Sequence, residues 1–165
     1  MKTTLDAPTS THYRQTVANF PSGVTVVTTH ADGEDIGLTV SAFASLSLEP
    51  PMVLVSIDKK SRSHEFLGIG APIGISVLAA HHTDIAVQFA RHGHDRFAGV
   101  ALERKGCIPI IAKSAAWFRG QVTDRFRGGD HIILTIAVKE CDFQEGVHPL
   151  LYQNGRLHSW PESLS

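Results

Sequence analysis

The chain has 165 residues, 42% of them hydrophobic and 19% charged, with a formal net charge of -1. That is enough for one domain with a single sizeable core, and the near-neutral balance argues against electrostatic capture of nucleic acid or an anionic membrane. No apolar run approaches the roughly 20 residues that span a bilayer, residues 1–6 lack a signal-peptide core, and Cys107 and Cys141 form no C-x-x-C, so a reduced, cytoplasmic protein is expected.

Residues 1–10 are polar and expected to be flexible, and residues 11–160 make the folded domain. Residues 12–19 predict a short helix with Thr11 as cap and Pro21 as stop. The β-branched run at 24–29 predicts a strand, and Asp32-Gly33 a tight turn into a second strand carrying Thr39 and Ser41. Strands follow at 52–57 and 73–78, with a short helix over 61–67 capped by Ser61 between them. Thr83 is the expected cap of a second helix over 84–90, whose Ile85, Ala86 and Phe89 share one face. Beyond the loop around Gly93 the chain is mostly strand. Residues 116–126 and 132–143 flank the turn Arg127-Gly128-Gly129-Asp130, and a last hairpin pairs 150–152 with 156–158 around Asn154-Gly155. The sum is a mainly β fold, about seven mostly antiparallel strands in a closed or partly closed barrel with two or three short helices.

Residues 37–51 (GLTVSAFASLSLEPP) are the most informative stretch. They open as a strand and continue as a loop crowded with hydroxyls. Thr39 and Ser41 are two apart and share a strand face. Hydroxyls and main-chain amides on one rim suit a planar heterocycle that both donates and accepts hydrogen bonds, such as a flavin ring. An edge strand with a polar outer face is the alternative. A second constellation, Ser56-Ile57-Asp58-Lys59-Lys60-Ser61-Arg62-Ser63, ends a strand and opens a helix beside two lysines, an arrangement suited to phosphate. The competing reading makes Lys59 and Lys60 a solvated pair, and Ser61 cannot serve the helix cap and a phosphate fully at once.

In this order and spacing, Phe20-Pro21-Ser22-Gly23-Val24-Thr25, Thr39-Val40-Ser41-Ala42-Phe43, Ser45-Leu46-Ser47-Leu48-Glu49-Pro50-Pro51, Gly129-Asp130-His131 and Pro149-Leu150-Leu151-Tyr152 resemble the short-chain flavin reductase family. Its members are the reductase components of two-component monooxygenases and share an FMN-binding split barrel. The resemblance runs from about residue 12 to about residue 158. It implies that Thr39, Ser41, Ala42 and Phe43 line the flavin edge and that Ser47 lies near its reactive centre. It gives the phosphate side to Ser56, Asp58, Lys60, Ser61, Arg62 and Ser63, with Arg96 and Phe97 on a second phosphate-side loop. His131 is the implied catalytic residue, placing the nicotinamide of NADH or NADPH, with Tyr152 and then Arg14 as weaker candidates for the same pocket.

The activity so implied is an NAD(P)H-dependent flavin reductase that passes a hydride to FMN or FAD and feeds reduced flavin to a separate monooxygenase. A homodimer is implied too, covering apolar residues such as Trp117 and Phe118. The rival readings are a tight-binding FMN electron carrier or oxidase on the same fold, and a binding module without turnover. Ser76 and Ala79-Ala80-His81-His82 depart from the family pattern at sites expected near the phosphate side, which leaves FMN against FAD open. Gly68-Ile69-Gly70 lacks a dinucleotide fingerprint, and His81-His82 and His92-Gly93-His94-Asp95 lack further metal ligands at sensible spacing, so no metal is expected.

Overall fold

Twelve strands and two α-helices run through a computed structural model of the protein, which describes residues 7–93 and 95–160. In chain order these are α1 (Ser10–Val17), β1 (Ser22–Gly23), β2 (Thr25–Ala31), β3 (Glu34–Val40), β4 (Phe43–Leu48), β5 (Pro51–Asp58), a 3-10 turn (Arg62–Phe66), β6 (Pro72–Val77), α2 (Thr83–Ala90), β7 (Leu102–Lys105), β8 (Ile108–Ile111), β9 (Ala116–Gly128), β10 (His131–Phe143), β11 (Leu151–Gln153) and β12 (Arg156–His158).

Seven strands form one sheet in the order β3-β2-β6-β9-β10-β5-β4, every neighbouring pair antiparallel. Its two edge strands, β3 and β4, are consecutive in the chain and joined only by Ser41 and Ala42. The sheet therefore curls until its edges meet at that corner, and Leu38 and Val40 of β3 share one buried cluster with Val53, Val55 and Ile57 of β5 although no ladder joins the two strands. This is a mainly β, split barrel whose seam is closed by side chains instead of main-chain hydrogen bonds. The small sheets β1-β11-β12 and β7-β8 complete the pairing. A second cluster, with Val24, Val26, Leu78, Ala86, Phe89, Ile111 and Leu150, lies between α2 and the outside of the barrel.

The β-branched run of β2 is buried along its length, and its threonines stay satisfied by giving their hydroxyl protons to carbonyls. Thr25 donates to Val40 O (2.6 Å), Thr28 to Pro109 O (2.6 Å) and Thr29 to Pro72 O (2.7 Å).

Several expectations need correction. The first helix starts at Ser10, inside the stretch expected to be flexible, and its cap is Thr9, whose hydroxyl accepts from His12 N–H, instead of Thr11. Residues 1–6 lie outside the described residues. Helix α2 begins at Thr83 itself, with His82 at the cap position and no side-chain cap bond. The serine-rich segment read as a loop is largely strand β4, the edge of the sheet, so the edge-strand alternative holds for Phe43–Leu48, while Ser41 falls just beyond the end of β3 and not within it. Ser76 is fully buried and accepts from Ile111 N–H (3.0 Å), and His82 is buried beneath α2, so neither is open to a phosphate. Trp117 and Phe118 are half-buried within their own chain. Lys105 Nζ sits 4.5 Å over the Trp117 ring, and Phe118 packs on Phe43 with ring centroids 5.6 Å apart.

Candidate functional site

The corner Ser41-Ala42 sits at the seam, and a cleft of about 280 Å³ opens beside it. The end of β3 and the corner supply Thr39, Ser41 and Ala42. The end of β5 and the turn after it supply Ser56, Asp58 and Ser61, the start of β10 supplies His131, and the loop after α2 supplies His92 and Arg96. Eight of the residues singled out in the sequence thus line one central cleft, although they come from segments up to 92 positions apart (131 minus 39).

Each is held in place by local chemistry. Thr39 donates its hydroxyl to Ala86 O of α2 (2.6 Å), so its oxygen is left to a ligand only as an acceptor. Ser56 N–H bonds to Ala42 O (2.9 Å) and Phe43 N–H to Ser41 O (3.1 Å), which fixes the corner. Asp58 orders the following turn, its Oδ1 accepting from Lys60 N–H (2.8 Å) and its carbonyl from Ser61 N–H (2.9 Å). Ser61 caps the 3-10 turn by accepting from Ser63 N–H at 3.4 Å, a weak bond that leaves it usable elsewhere.

Arg96 closes one end of the cleft. It donates through Nε to Arg91 O (2.9 Å) and through Nη1 to Gly37 O (2.6 Å), which leaves part of its five-donor fork open. Burial pulls its pKa below the ordinary arginine value. Gln88 of α2 holds the same loop by donating to Arg96 O (2.9 Å) and Ala98 O (3.0 Å). A side chain at Gly37 would strike Phe89 Cε1 at 2.7 Å and Phe97 Cζ at 2.9 Å, so only glycine lets the aromatic pair and the Arg96 loop approach β3 this closely.

His131 stands at the other end. Gly129, at φ 62°, turns β9 into β10 in two residues, and His131 pairs across β5 with Asp58. Lys59 clamps this hairpin, its N–H on Asp130 O (3.0 Å) and its ammonium on Gly129 O. The His131 Nδ1–H donates to Asp130 Oδ1 (2.7 Å), which holds the Asp130 carboxyl below its usual range and leaves Nε2 as the ring nitrogen open to a ligand.

Two further clefts adjoin. An outer cleft of about 520 Å³ shares Arg96 and contains Ser63 and Phe97. A larger, more apolar cleft of about 820 Å³ under α1 shares Ser41, Ala42 and Ser56, and brings Phe43, Arg14 and Tyr152 together. Ser47, on β4, Lys60 and Arg62 line none of these three clefts among the described residues. Sequence reasoning missed Phe89 and Ala90, read as helix face or not at all, and His92, whose His-Gly-His-Asp run raised a metal question instead. Apolar walls with hydroxyls along the rim, a guanidinium at one end and an imidazole at the other form a donor set that fits a planar, apolar-faced heterocycle with an anionic tail.

Residues 17–161 match the family model described as "Flavin reductase like domain". A protein of Rhizobium meliloti (strain 1021) described as "Probable flavin reductase" is 39% identical over 145 residues, 86% of this chain. The chain spans only 46% of that relative's length. The NADH-dependent flavin reductase StyB of Pseudomonas fluorescens is 33% identical over 159 residues, 94% of this chain and 93% of its own. Among solved structures, the NADH:FAD oxidoreductase SgcE6 of Streptomyces globisporus C-1027, in complex with NAD and FAD fragments, superposes with a TM-score of 0.89 at 30% identity, covering 98% of this chain and 99% of that one.

Proposed function

The chain belongs to the flavin reductase-like domain family, and on that premise we propose that it is an NAD(P)H:flavin oxidoreductase that delivers reduced flavin to a separate monooxygenase component. The observation that carries this reading is the single central cleft, in which Thr39, Ser41, Ala42, Ser56, Asp58, Ser61, Arg96 and His131 converge at the seam of the barrel. The chemistry a flavin supplies when bound there is acceptance of a hydride from a reduced nicotinamide. Ser41 and Ser56 offer hydroxyls to its polar edge, and Thr39 an acceptor oxygen. Arg96 supports the anionic tail, together with Ser61 and, in the outer cleft, Ser63. Two clefts that meet at Ser41, Ala42 and Ser56 give room for two ligands in contact, which hydride transfer requires at about 3–3.5 Å. His131, held by Asp130 and the Lys59 clamp, presents Nε2 and a flat ring to the nicotinamide, while Tyr152 and Arg14 border its approach.

The protein acts as a homodimer in this reading, because Phe20, Tyr13 and Val17 around the α1 cleft are exposed apolar surface in one chain. The cytoplasm suits two exposed, unpaired cysteines, and none of the described helices is long and apolar enough to cross a membrane. The test is oxidation of NADH and NADPH, followed by loss of the nicotinamide absorbance, with FMN, FAD or riboflavin added and a no-enzyme control. Rapid, flavin-dependent oxidation is expected. Absence of turnover with every pair from folded protein overturns the reductase reading in favour of a flavin carrier or binding module.

A further inference from the structure

Lys59 and Lys60 follow the end of β5, where a pair of cations beside a helical turn suits a phosphate, yet neither lines any of the three clefts among the described residues. What they reach is the hairpin that carries His131. The β5–β10 ladder ends at the pair Asp58–His131, and Lys59 adds one more rung by donating its N–H to Asp130 O (3.0 Å). Its ammonium then reaches past the ladder and donates to Gly129 O. The His131 bond, and to a smaller degree the charge of Lys60, holds the Asp130 carboxyl below its usual range.

Gly128 and Gly129 give this turn more backbone freedom than other residues would, so its shape has to be fixed from outside. Beyond the ladder itself, that grip comes from Lys59 alone among the described residues. Lys59 is braced in turn. His64 Nε2–H donates to Lys59 O (3.2 Å), and Arg125 Nη1 donates to the carbonyls of His64 and Leu67, both at 3.1 Å. Arg125 belongs to β9, so the brace starts and ends on the same hairpin. Resting on the reductase reading above, we propose that Lys59 is a positioning residue for hydride transfer, acting through the Gly129-Asp130 turn on His131 and taking no part in holding the flavin phosphate. Removing its ammonium frees Gly129 O but keeps the main-chain rung to Asp130. The hairpin then stays folded while the His131 ring loses its fixed direction.

The test compares wild type, Lys59→Met, Lys59→Arg, His131→Ala and the Lys59→Met/His131→Ala double variant in NAD(P)H oxidation, with riboflavin and FMN affinities measured by titration. Lys59→Met should lower turnover about tenfold, within the roughly hundredfold that a misplacement of about 1 Å costs. Lys59→Arg, which also brings N–H donors to a carbonyl, should restore most of it. Affinities for riboflavin and FMN should both stay within about twofold of wild type, because an exposed ammonium away from the ligand contributes little. With His131 already replaced by alanine, Lys59→Met should change turnover by no more than about twofold, since an effect carried by the histidine vanishes with it. A loss of about tenfold or more in FMN affinity, with riboflavin unaffected, makes Lys59 a phosphate ligand and overturns the proposal. So does unchanged turnover in Lys59→Met, or a loss that persists in full when His131 is absent. A Lys59→Met chain that binds neither flavin assigns the lysine to the fold and overturns the positioning role as well. Wild-type protein that oxidises no NAD(P)H with any flavin overturns the reductase reading itself, an outcome distinct from all of these.

Discussion

His131 is the side chain on which turnover should depend most. Among the described residues its ring bonds only to the adjacent Asp130, so removing it disturbs little else. His131→Ala should lower the turnover of NAD(P)H by about a hundredfold through lost positioning, with little change in flavin affinity measured by titration. An equal loss in both would make the histidine structural. Gly37 is the opposite case, a residue with no functional group on which the site rests. A methyl there meets two aromatic rings below 3 Å, so Gly37→Ala should cost about 1–3 kcal/mol in chemical denaturation and weaken flavin binding by displacing the Arg96 loop. Hydroxyls, glycines before a histidine and a cation after a strand were all legible in the sequence, because each is a chemical type at a short spacing. What was not legible is commitment. Nothing in the order of residues says that the proton of Thr39 goes to Ala86, or that Arg96 reaches back 59 positions to Gly37.

Among the elements, the long ladders were readable because burial imposes β-branched and apolar runs on them, as in β2, β5 and β10. Strand β4 was not, because an edge strand with a bulge between Ser45 and Ser47 exposes most of both faces and keeps no clean alternation. The pair β7-β8 also escaped a definite assignment, whereas the still shorter β11-β12 was marked by its Asn154-Gly155 turn. Helix α2 carries a pH-dependent weakness at its start. The His82 ring is buried, and its Nδ1 accepts from Ala79 N–H at 3.2 Å, a bond only the unprotonated nitrogen can make. Burial, aided by the charge of His81, pushes its pKa down to about 4. In the unfolded chain the ordinary value is 6.5, so between pH 6.5 and 4 the unfolded state binds more protons and stability falls as the pH drops. The loss should reach about 3 kcal/mol, at about 1.4 kcal/mol per pH unit, in denaturant titrations across that window. A His82→Gln variant should start lower and lack this slope.

For the whole molecule, the exposed apolar side chains predict association. Phe20 is 76% exposed and Leu48, on the edge strand, 87%. Light scattering should give about twice the 17.9 kDa chain mass, and a single-chain mass would remove the homodimer. The barrel itself was foreseeable from about seven antiparallel strands, since that number with short turns closes on itself. Which strands form its lips was not. That depends on β3 and β4 lying at opposite ends of one sheet while being neighbours in sequence, a property of pairing order that no local pattern encodes.

Because the seam between β3 and β5 is held by side chains alone, a molecule bound across it acts as a staple between the lips of the barrel. Occupancy and folding are then coupled by mass action, and each tenfold excess of ligand over its dissociation constant adds about 1.4 kcal/mol to stability. A flavin held loosely enough to pass on to another protein would be lost during purification and leave no colour. It would still raise the melting temperature when added back at high concentration, and the protection from hydrogen exchange should concentrate in β3 and β5, the two strands the staple spans.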